Sequence, residues 1–263
     1  MRLLFIRHGD PDYANDTLTD IGVSEARALA AHIRELNIDE VYLSPLGRAR
    51  DTAGYSLRAL GLDVDSTVAD RTYGWLREFD ATVDVPAMPE YLEAYPNSVL
   101  PDGSLRKRIV WDMVPSYLNR HPEYYETWDW RDTKLARDTD IIDKYDGVCK
   151  GIDDILAGYG YVRDGMGYRV EREYTGTLAF FCHFGVTCVI LSHLMNVSPF
   201  GLWHGTCLAP TSVSEVYSEE RQQGYALFRA WKLGDIRHLT LEGLEPSFSA
   251  RFAEVYSNAD QRH

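Results

Sequence analysis

The chain has 263 residues, 45% hydrophobic and 25% charged, a balance that excludes disordered and fibrous classes. Twenty-seven Lys and Arg against 40 Asp and Glu leave a formal net charge of −13, which repels nucleic-acid backbones and anionic lipid, so neither is an expected partner. An anionic small molecule must then be drawn in by a local cluster of cations working against the global field.

Met1-Arg2 opens onto Leu3–Ile6, a continuous apolar run of the kind found in a strand buried on both faces. Four apolar residues are too few for a signal-peptide core or a membrane span, so the expected compartment is cytoplasmic. The run stops at Arg7-His8-Gly9-Asp10-Pro11, where Gly and Pro force a loop. Leu18-Thr19-Asp20, followed by Ile21, Leu29, Ile33 and Leu36, predicts a capped amphipathic helix. Val41–Leu43 predicts a second strand, broken at Ser44-Pro45. Leu46–Leu60 predicts a second helix, with Ala49, Ala53, Leu57 and Leu60 on one face and Gly61 ending it. The order β-loop-α-β-loop-α points to a parallel α/β sheet with helices on its faces.

From about 80 to 175 the pattern loosens. Pro86, Pro89, Pro96 and Pro101 punctuate it, Leu105–Leu118 has helical character, and Ile141 to Leu156 recur at helical spacing. The aromatics between Tyr124 and Trp130 suit a lid, an interface or the segment's own small core, the last being the ordinary outcome for such residues. Regularity returns with the apolar strand Leu178–Cys182, which ends on His183, and with a helix from Val186 to Met195. Val213–Tyr217 and Tyr225–Trp231 alternate as a terminal hairpin. The expected architecture is one α/β domain over 1–263, a three-layer α/β/α arrangement on a mostly parallel central sheet, carrying a cap-like insertion at about 80–175. The cysteines Cys149, Cys182, Cys188 and Cys207 form no CxxC pair and read as free thiols.

Two strands each deliver a histidine at their C-terminal end, and ligand sites in open α/β sheets form in the crevice beyond those ends. Arg7-His8 sets a fixed cation beside an imidazole, and Gly9 lets a ligand approach the backbone. Ser44-Pro45-Leu46-Gly47-Arg48-Ala49-Arg50 brings two further arginines to a strand-to-helix junction, where free N–H groups suit a phosphate. No HExxH, CxxC or EF-hand spacing is present, so no metal site and no cofactor are expected.

Arg7-His8-Gly9 after an N-terminal strand, Leu18-Thr19 with Gly22, Ser44-Pro45-Leu46-x-Arg48-Ala49-x-x-Thr52-Ala53, Leu76-x-Glu78 and His183-x-Gly185 together resemble the histidine phosphatase, or phosphoglycerate-mutase-like, superfamily. The motifs run from Leu3 to about Met195, with 80–175 outside them. The resemblance implies a phosphoglycerate-mutase-like fold and a metal-independent phosphohistidine mechanism. His8 would be the nucleophile, Arg7 and Arg48 the clamp on the phosphoryl oxygens, and His183 a donor to the same oxygens. Glu78 would protonate the leaving alkoxide and then accept a proton from water, with Asp70, Asp80 and Asp84 as alternative acids. Arg50 reads as a solvated helix residue.

Three positions depart from the family pattern. Asp10 stands where Glu or Gln is common, Phe184 where a second Gly is common, and the expected asparagine is displaced to Asn15. Asn15 and His204 are candidate substrate contacts beside Gly9, and the basic run Arg106-Lys107-Arg108 a candidate second anion contact. The leading reading is a phosphomonoesterase acting on a small phosphate ester, its expected partner. A cofactor-dependent phosphoglycerate-type mutase is the alternative, disfavoured because Phe79-Asp80-Ala81-Thr82 follow Glu78 without the cations a doubly anionic substrate needs. A non-catalytic phosphate-binding protein on the same fold is a third reading. Oligomeric state is open; exposed aromatics would favour a homodimer.

Overall fold

Strand β1 (Arg2–Arg7) shows how an apolar run sets a layered architecture. Side chains alternate across a strand, so Leu3 and Phe5 enter one core and Leu4 and Ile6 the other. The same split recurs in the later strand Thr177–Cys182, whose Leu178 and Phe180 join the first core and Ala179 and Phe181 the second. Two cores on opposite faces of one sheet are what a three-layer arrangement requires. The computed structural model describes residues 1–249 and 253–262.

The smaller core is closed by helix α1 (Asp20–His32) and helix α2 (Gly47–Leu60), which flank strand β2 (Glu40–Leu43). Thr19 caps α1 by accepting from the Gly22 N–H, and Gly61 ends α2 at φ 80°, the left-handed turn that glycine adopts without a Cβ penalty. A short helix over Val64–Arg71, capped by Asp63, follows. The larger core is built on α3 (Ile141–Gly158). Its chain then makes the hairpin β3 (Tyr161–Asp164) and β4 (Gly167–Val170), strand β5 (Thr177–Cys182) and helix α4 (Phe184–Met195). Helix α5 (Pro199–Gly205) and the long hairpin β6 (Val213–Gln222) and β7 (Tyr225–Asp235) complete it.

The seven-stranded sheet runs β2-β5-β1-β6-β7-β4-β3. Its core strands β2, β5 and β1 are parallel, and the remaining strands extend it antiparallel. The hairpin near the C-terminus is thus part of the main sheet, paired through β6 to β1. It is not the last element, since Ala253–Val255 and Asn258–Arg262 pair after it. No described helix is long and apolar enough to cross a membrane.

The 80–175 segment departs most from its sequence pattern. Leu105–Leu118 is not one helix: Arg108–Ile109 pairs with Thr82–Val83, a 3₁₀ turn covers Val110–Asp112, and only Pro115–Arg120 is α-helical. Pro115 at the first helical turn prevents an upstream continuation. Tyr124 and Trp130 are buried, but not in a core of the insertion's own. Tyr124 packs on Phe200 of α5, and Trp130 on Tyr145 and Phe200, so the insertion's apolar residues join the larger core. Tyr125 and Trp128, between them, are exposed.

Candidate active site

Parallel strands β1 and β5 are paired in register up to Arg7 opposite Cys182, so the next residue of each leaves the sheet at the same edge. Those residues are His8 and His183. The His8 N–H continues the ladder to the Cys182 carbonyl at 3.1 Å, and the two imidazoles lie 5.0 Å apart between ring centres. Strand β2 ends beside them, where the Ser44 N–H bonds the Phe181 carbonyl and the chain turns into α2. Arg48, in the first turn of α2, therefore faces the same edge.

The hydrogen bonds fix the proton on His8. Its Nδ1 is 2.7 Å from the Gly9 carbonyl oxygen, which can only accept, so Nδ1 carries the hydrogen. Nε2 keeps its lone pair and accepts from Arg48 Nε at 3.3 Å. Burial, then the Arg7 and Arg48 charges, hold the His8 pKa well below the ordinary histidine value, against the pull of the Gly9 carbonyl. Thr52 joins the two motifs, accepting from the Gly9 N–H at 2.9 Å and donating to the Arg48 carbonyl at 2.8 Å.

His183 is fixed by Ser44. The Ser44 hydroxyl oxygen accepts from the Leu46 N–H at 3.2 Å and is hydrogen-bonded to His183 Nε2 at 2.7 Å, a contact in which either atom can be the donor. His183 Nδ1 is buried with no partner among the described residues. Burial, followed by the neighbouring His8, Arg48 and Arg7, keeps the His183 pKa well below the ordinary range.

Arg7 is buried and donates through Nη1 to the carbonyls of Leu208 at 2.6 Å and Ser249 at 3.2 Å, while its Nε is buried and unpaired among the described residues. Arg48 is oriented by Asp16, whose Oδ1 takes Nη1 at 2.6 Å and whose Oδ2 takes the Gly47 N–H at 2.7 Å. A Cβ on Gly47 would sit 2.1 Å from the Asp16 carbonyl oxygen, so glycine is needed for this approach. Glu78 Oε1 accepts from the Phe79 N–H at 2.9 Å and from the Val186 N–H at 3.2 Å at the start of α4. Burial nevertheless raises its pKa above the usual carboxylate value, outweighing those bonds and the Arg7 and Arg48 charges. Among the other acids weighed, Asp70 is exposed, Asp80 pairs with Lys144 at 2.7 Å and Asp84 with Lys107 at 2.6 Å.

Arg7 and Glu78 border a cleft of about 940 Å³, walled also by Tyr13, by Asn97 and Arg108 to Pro115 of the insertion except Ile109 and Val110, and by Phe184 and Trp203 to Cys207. His204 lies on this wall with a buried Nε2 that has no partner among the described residues. Asn15 does not reach it: the side chain is exposed and donates to Asp12 at 2.7 Å. The neighbouring Asp16 holds Arg48 instead, a one-residue difference set by the left-handed turn at Asp16. Gly9 is required by packing, because a Cβ there would lie 2.7 Å from the Gly22 carbonyl oxygen. Asp10 points away from the cleft, accepting from Thr19 and Ser249. Of the basic run, Arg108 faces the cleft and is paired with Asp112 at 2.7 Å, while Arg50 is exposed elsewhere. Sequence reasoning missed Asp16, Trp111 and Trp203. It quoted Ser44 within a motif without a role, although its place directly after a strand end was the available signal.

Among the described residues no group of three or more His, Cys, Asp or Glu is arranged to hold a metal ion. Residues 3–91 match the model of the histidine phosphatase superfamily, branch 1. No curated protein matches the chain. Among solved structures, a protein described as mycobacterial hydrolase 1 is 16% identical and superposes with a TM-score of 0.53 over 89% of this chain and 98% of its own. A mycobacterial glucosyl-3-phosphoglycerate phosphatase, solved with VO3, is 16% identical with a TM-score of 0.52 over 88% of this chain and 97% of its own. A phosphoserine phosphatase from Entamoeba histolytica, solved with phosphoserine, is 16% identical with a TM-score of 0.52 over 90% of this chain and 98% of its own. The N-terminal third of the chain thus matches the histidine phosphatase superfamily model, and the chain shares the fold of these solved structures over most of its length.

Proposed function

We propose that this protein is a phosphomonoesterase that works through a phosphohistidine on His8. The observation that carries the reading is the set of buried, unpaired donors around one lone pair. Arg7 Nε and His183 Nδ1 lack partners among the described residues, the His183 ring centre lies 5.0 Å from that of His8, and Arg48 Nε donates to His8 Nε2. An unmade hydrogen bond from a buried group costs about 1–3 kcal/mol, more when the group is charged, and phosphoryl oxygens would accept from all of them.

In the first step His8 Nε2 attacks phosphorus, the P–O ester bond breaks, and the Glu78 proton passes to the departing alkoxide. The raised Glu78 pKa favours the protonated acid that this step needs. The depressed His8 pKa keeps Nε2 free of a proton, and the Gly9 carbonyl supports the positive charge that develops on the ring. In the second step Glu78, now a carboxylate, takes a proton from water as its oxygen attacks phosphorus. The N–P bond breaks, phosphate leaves, and Glu78 is again protonated. Arg7, Arg48 and His183 hold the equatorial oxygens in both steps.

Water as acceptor is favoured over a phosphoglycerate because the cleft beyond Glu78 offers little free positive charge. Arg108, its cation on the insertion side, is paired with Asp112. The phosphatases of like fold lend the same direction. The deciding experiment is p-nitrophenyl phosphate hydrolysis with EDTA present, wild type beside His8→Ala, with acid-labile phosphate trapped on the protein. EDTA-resistant turnover and trapping, both lost in His8→Ala, are expected. Turnover that survives in that variant would overturn the mechanism.

A further inference from the structure

The insertion sends one aromatic ring directly against the proton donor. A Cβ built on Gly185 would meet the benzo edge of Trp111 at 2.4 Å and Glu78 Oε1 at 2.8 Å, so ring and carboxylate oxygen both lie close to a single point. Whatever alcohol receives the Glu78 proton must leave beside this ring. Three neighbours hold it in place: Phe79 stacked at 6.4 Å, Phe184 edge-on at 6.2 Å and Trp203 at 5.4 Å. Phe79 and Trp203 are buried, whereas Trp111 is only partly so and contributes to the cleft wall. The indole N–H of Trp203 is used on the Gly185 carbonyl at 3.1 Å. The charges nearest Trp111 in sequence, Arg108 and Asp112, are paired at 2.7 Å and leave this wall without net charge.

A rigid, partly open indole, an electrically balanced wall and a cleft of about 940 Å³ are suited to a ring-bearing alcohol and poorly suited to a second anion. We propose that Trp111 is a specificity-determining residue and that the cleft takes phosphomonoesters of uncharged alcohols carrying an aromatic ring, stacked on Trp111. This rests on Glu78 as the proton donor in the proposed phosphatase.

Binding of non-hydrolysable phosphonates tests the proposal without requiring turnover. Calorimetry compares 2-phenylethylphosphonate, ethylphosphonate and 3-phosphonopropionate on the full chain. The phenyl compound is expected to bind about tenfold tighter than the ethyl compound, the order expected of aromatic contact with its buried area, and tighter than the carboxylate. Trp111→Phe should keep most of the preference, and Trp111→Leu should lower it at least about threefold while retaining apolar packing. A wild-type preference under about twofold, equal or tighter binding of the carboxylate, or a preference unchanged in Trp111→Leu would each overturn the proposal. No binding of any phosphonate would do the same. Loss of p-nitrophenyl phosphate turnover in the wild type, with the phenyl preference intact, would instead sink the phosphatase reading and leave an aromatic phosphate-binding site.

Discussion

Replacing Gly185 by alanine tests the junction of acid, aromatic wall and helix start with one methyl group. Favourable carbon contacts lie at about 3.5–4.0 Å, and the new methyl would begin 2.4 Å from Trp111 and 2.8 Å from Glu78 Oε1. Trp111 would have to retreat by roughly an ångström, yet Phe79, Phe184 and Trp203 stand around it. Overpacking of this kind costs about 1–3 kcal/mol. Alanine regains up to about 1 kcal/mol over glycine in a helix, so the net loss of stability is about 0–3 kcal/mol and the fold survives. Activity is therefore the sensitive readout. Moving Glu78 Oε1 by about an ångström disturbs its bond from the Val186 N–H and takes the acid out of line, a displacement that can cost on the order of 10²-fold in rate. We expect kcat/KM for an alkyl phosphate to fall about 10²-fold in Gly185→Ala. For p-nitrophenyl phosphate, whose leaving group needs little protonation, the loss should be smaller. Steady-state kinetics on both esters, with thermal unfolding alongside, checks this. Alkyl-ester activity within about threefold of wild type would refute the packing of Glu78 against Trp111 at Gly185.

Glu78→Gln keeps the acceptor oxygen for Phe79 and Val186 but removes the transferable proton, so alkyl-ester turnover should drop by about 10²–10⁴-fold with little change in unfolding temperature; equal losses on alkyl and p-nitrophenyl esters would move the acid elsewhere. Ser44→Ala removes the hydrogen-bond partner of His183 Nε2 and should release the ring from a single tautomer, seen as altered ¹⁵N resonances of His183 with a roughly tenfold loss of kcat/KM; unchanged resonances would show that Ser44 does not set the tautomer. Stability should fall as pH drops from 7 to 4. Burial pushes His238 down to about 4, and His8 and His183 shift the same way. A folded pKa below the unfolded one means the unfolded chain binds the proton first, so the stabilisation is present above about pH 6.5 and lost on the way down, about 3 kcal/mol for His238. Unfolding temperature against pH, wild type beside His238→Gln, should show a shallower acid slope in the variant, and parallel curves would contradict the assignment.

The chemistry-bearing half of the site was legible because backbone periodicity dictates it. A strand buried on both faces must read as Leu3–Ile6 or Leu178–Cys182 do, and two such strands in parallel register present whatever follows them at one edge. The residues that follow are His8 and His183, so local pattern plus topology was enough. Arg48 was readable for the same reason, since a helix must begin shortly after Ser44-Pro45. The reading failed where position depends on a turn or on distant packing. Asp16 rather than Asn15 meets the site because the chain adopts a left-handed conformation at Asp16, and nothing in the neighbouring residues signals that choice. Trp111 sits in a segment of short 3₁₀ turns and two-residue strands with no period to read, and its partners Phe79, Phe184 and Trp203 come from three separate parts of the chain. Tyr124 and Trp130 were recognisable as core residues, but not as members of the main core, because that depends on docking against α5.

The net charge of −13 and the unpaired donors of the site belong to one physical argument. A chain this acidic repels anions over most of its surface, so an anionic phosphate ester is held only where the local field reverses sign. Arg7 and Arg48 supply that reversal at the sheet edge, and their fixed positions come from acceptors that are not the ligand: the Leu208 and Ser249 carbonyls for Arg7 and the Asp16 carboxylate for Arg48. Carbonyls hold a guanidinium in place without neutralising it. Arg7 thus keeps its charge and an Nε with no partner among the described residues, while Asp16 partly offsets Arg48 and in return aims it at His8. In the proposed mechanism the two histidines complete the arrangement by staying neutral through burial, His8 offering its lone pair. A charged His8 would have no lone pair for phosphorus. If the proposal holds, the depressed histidine pKa values are as necessary to turnover as the arginines are to binding.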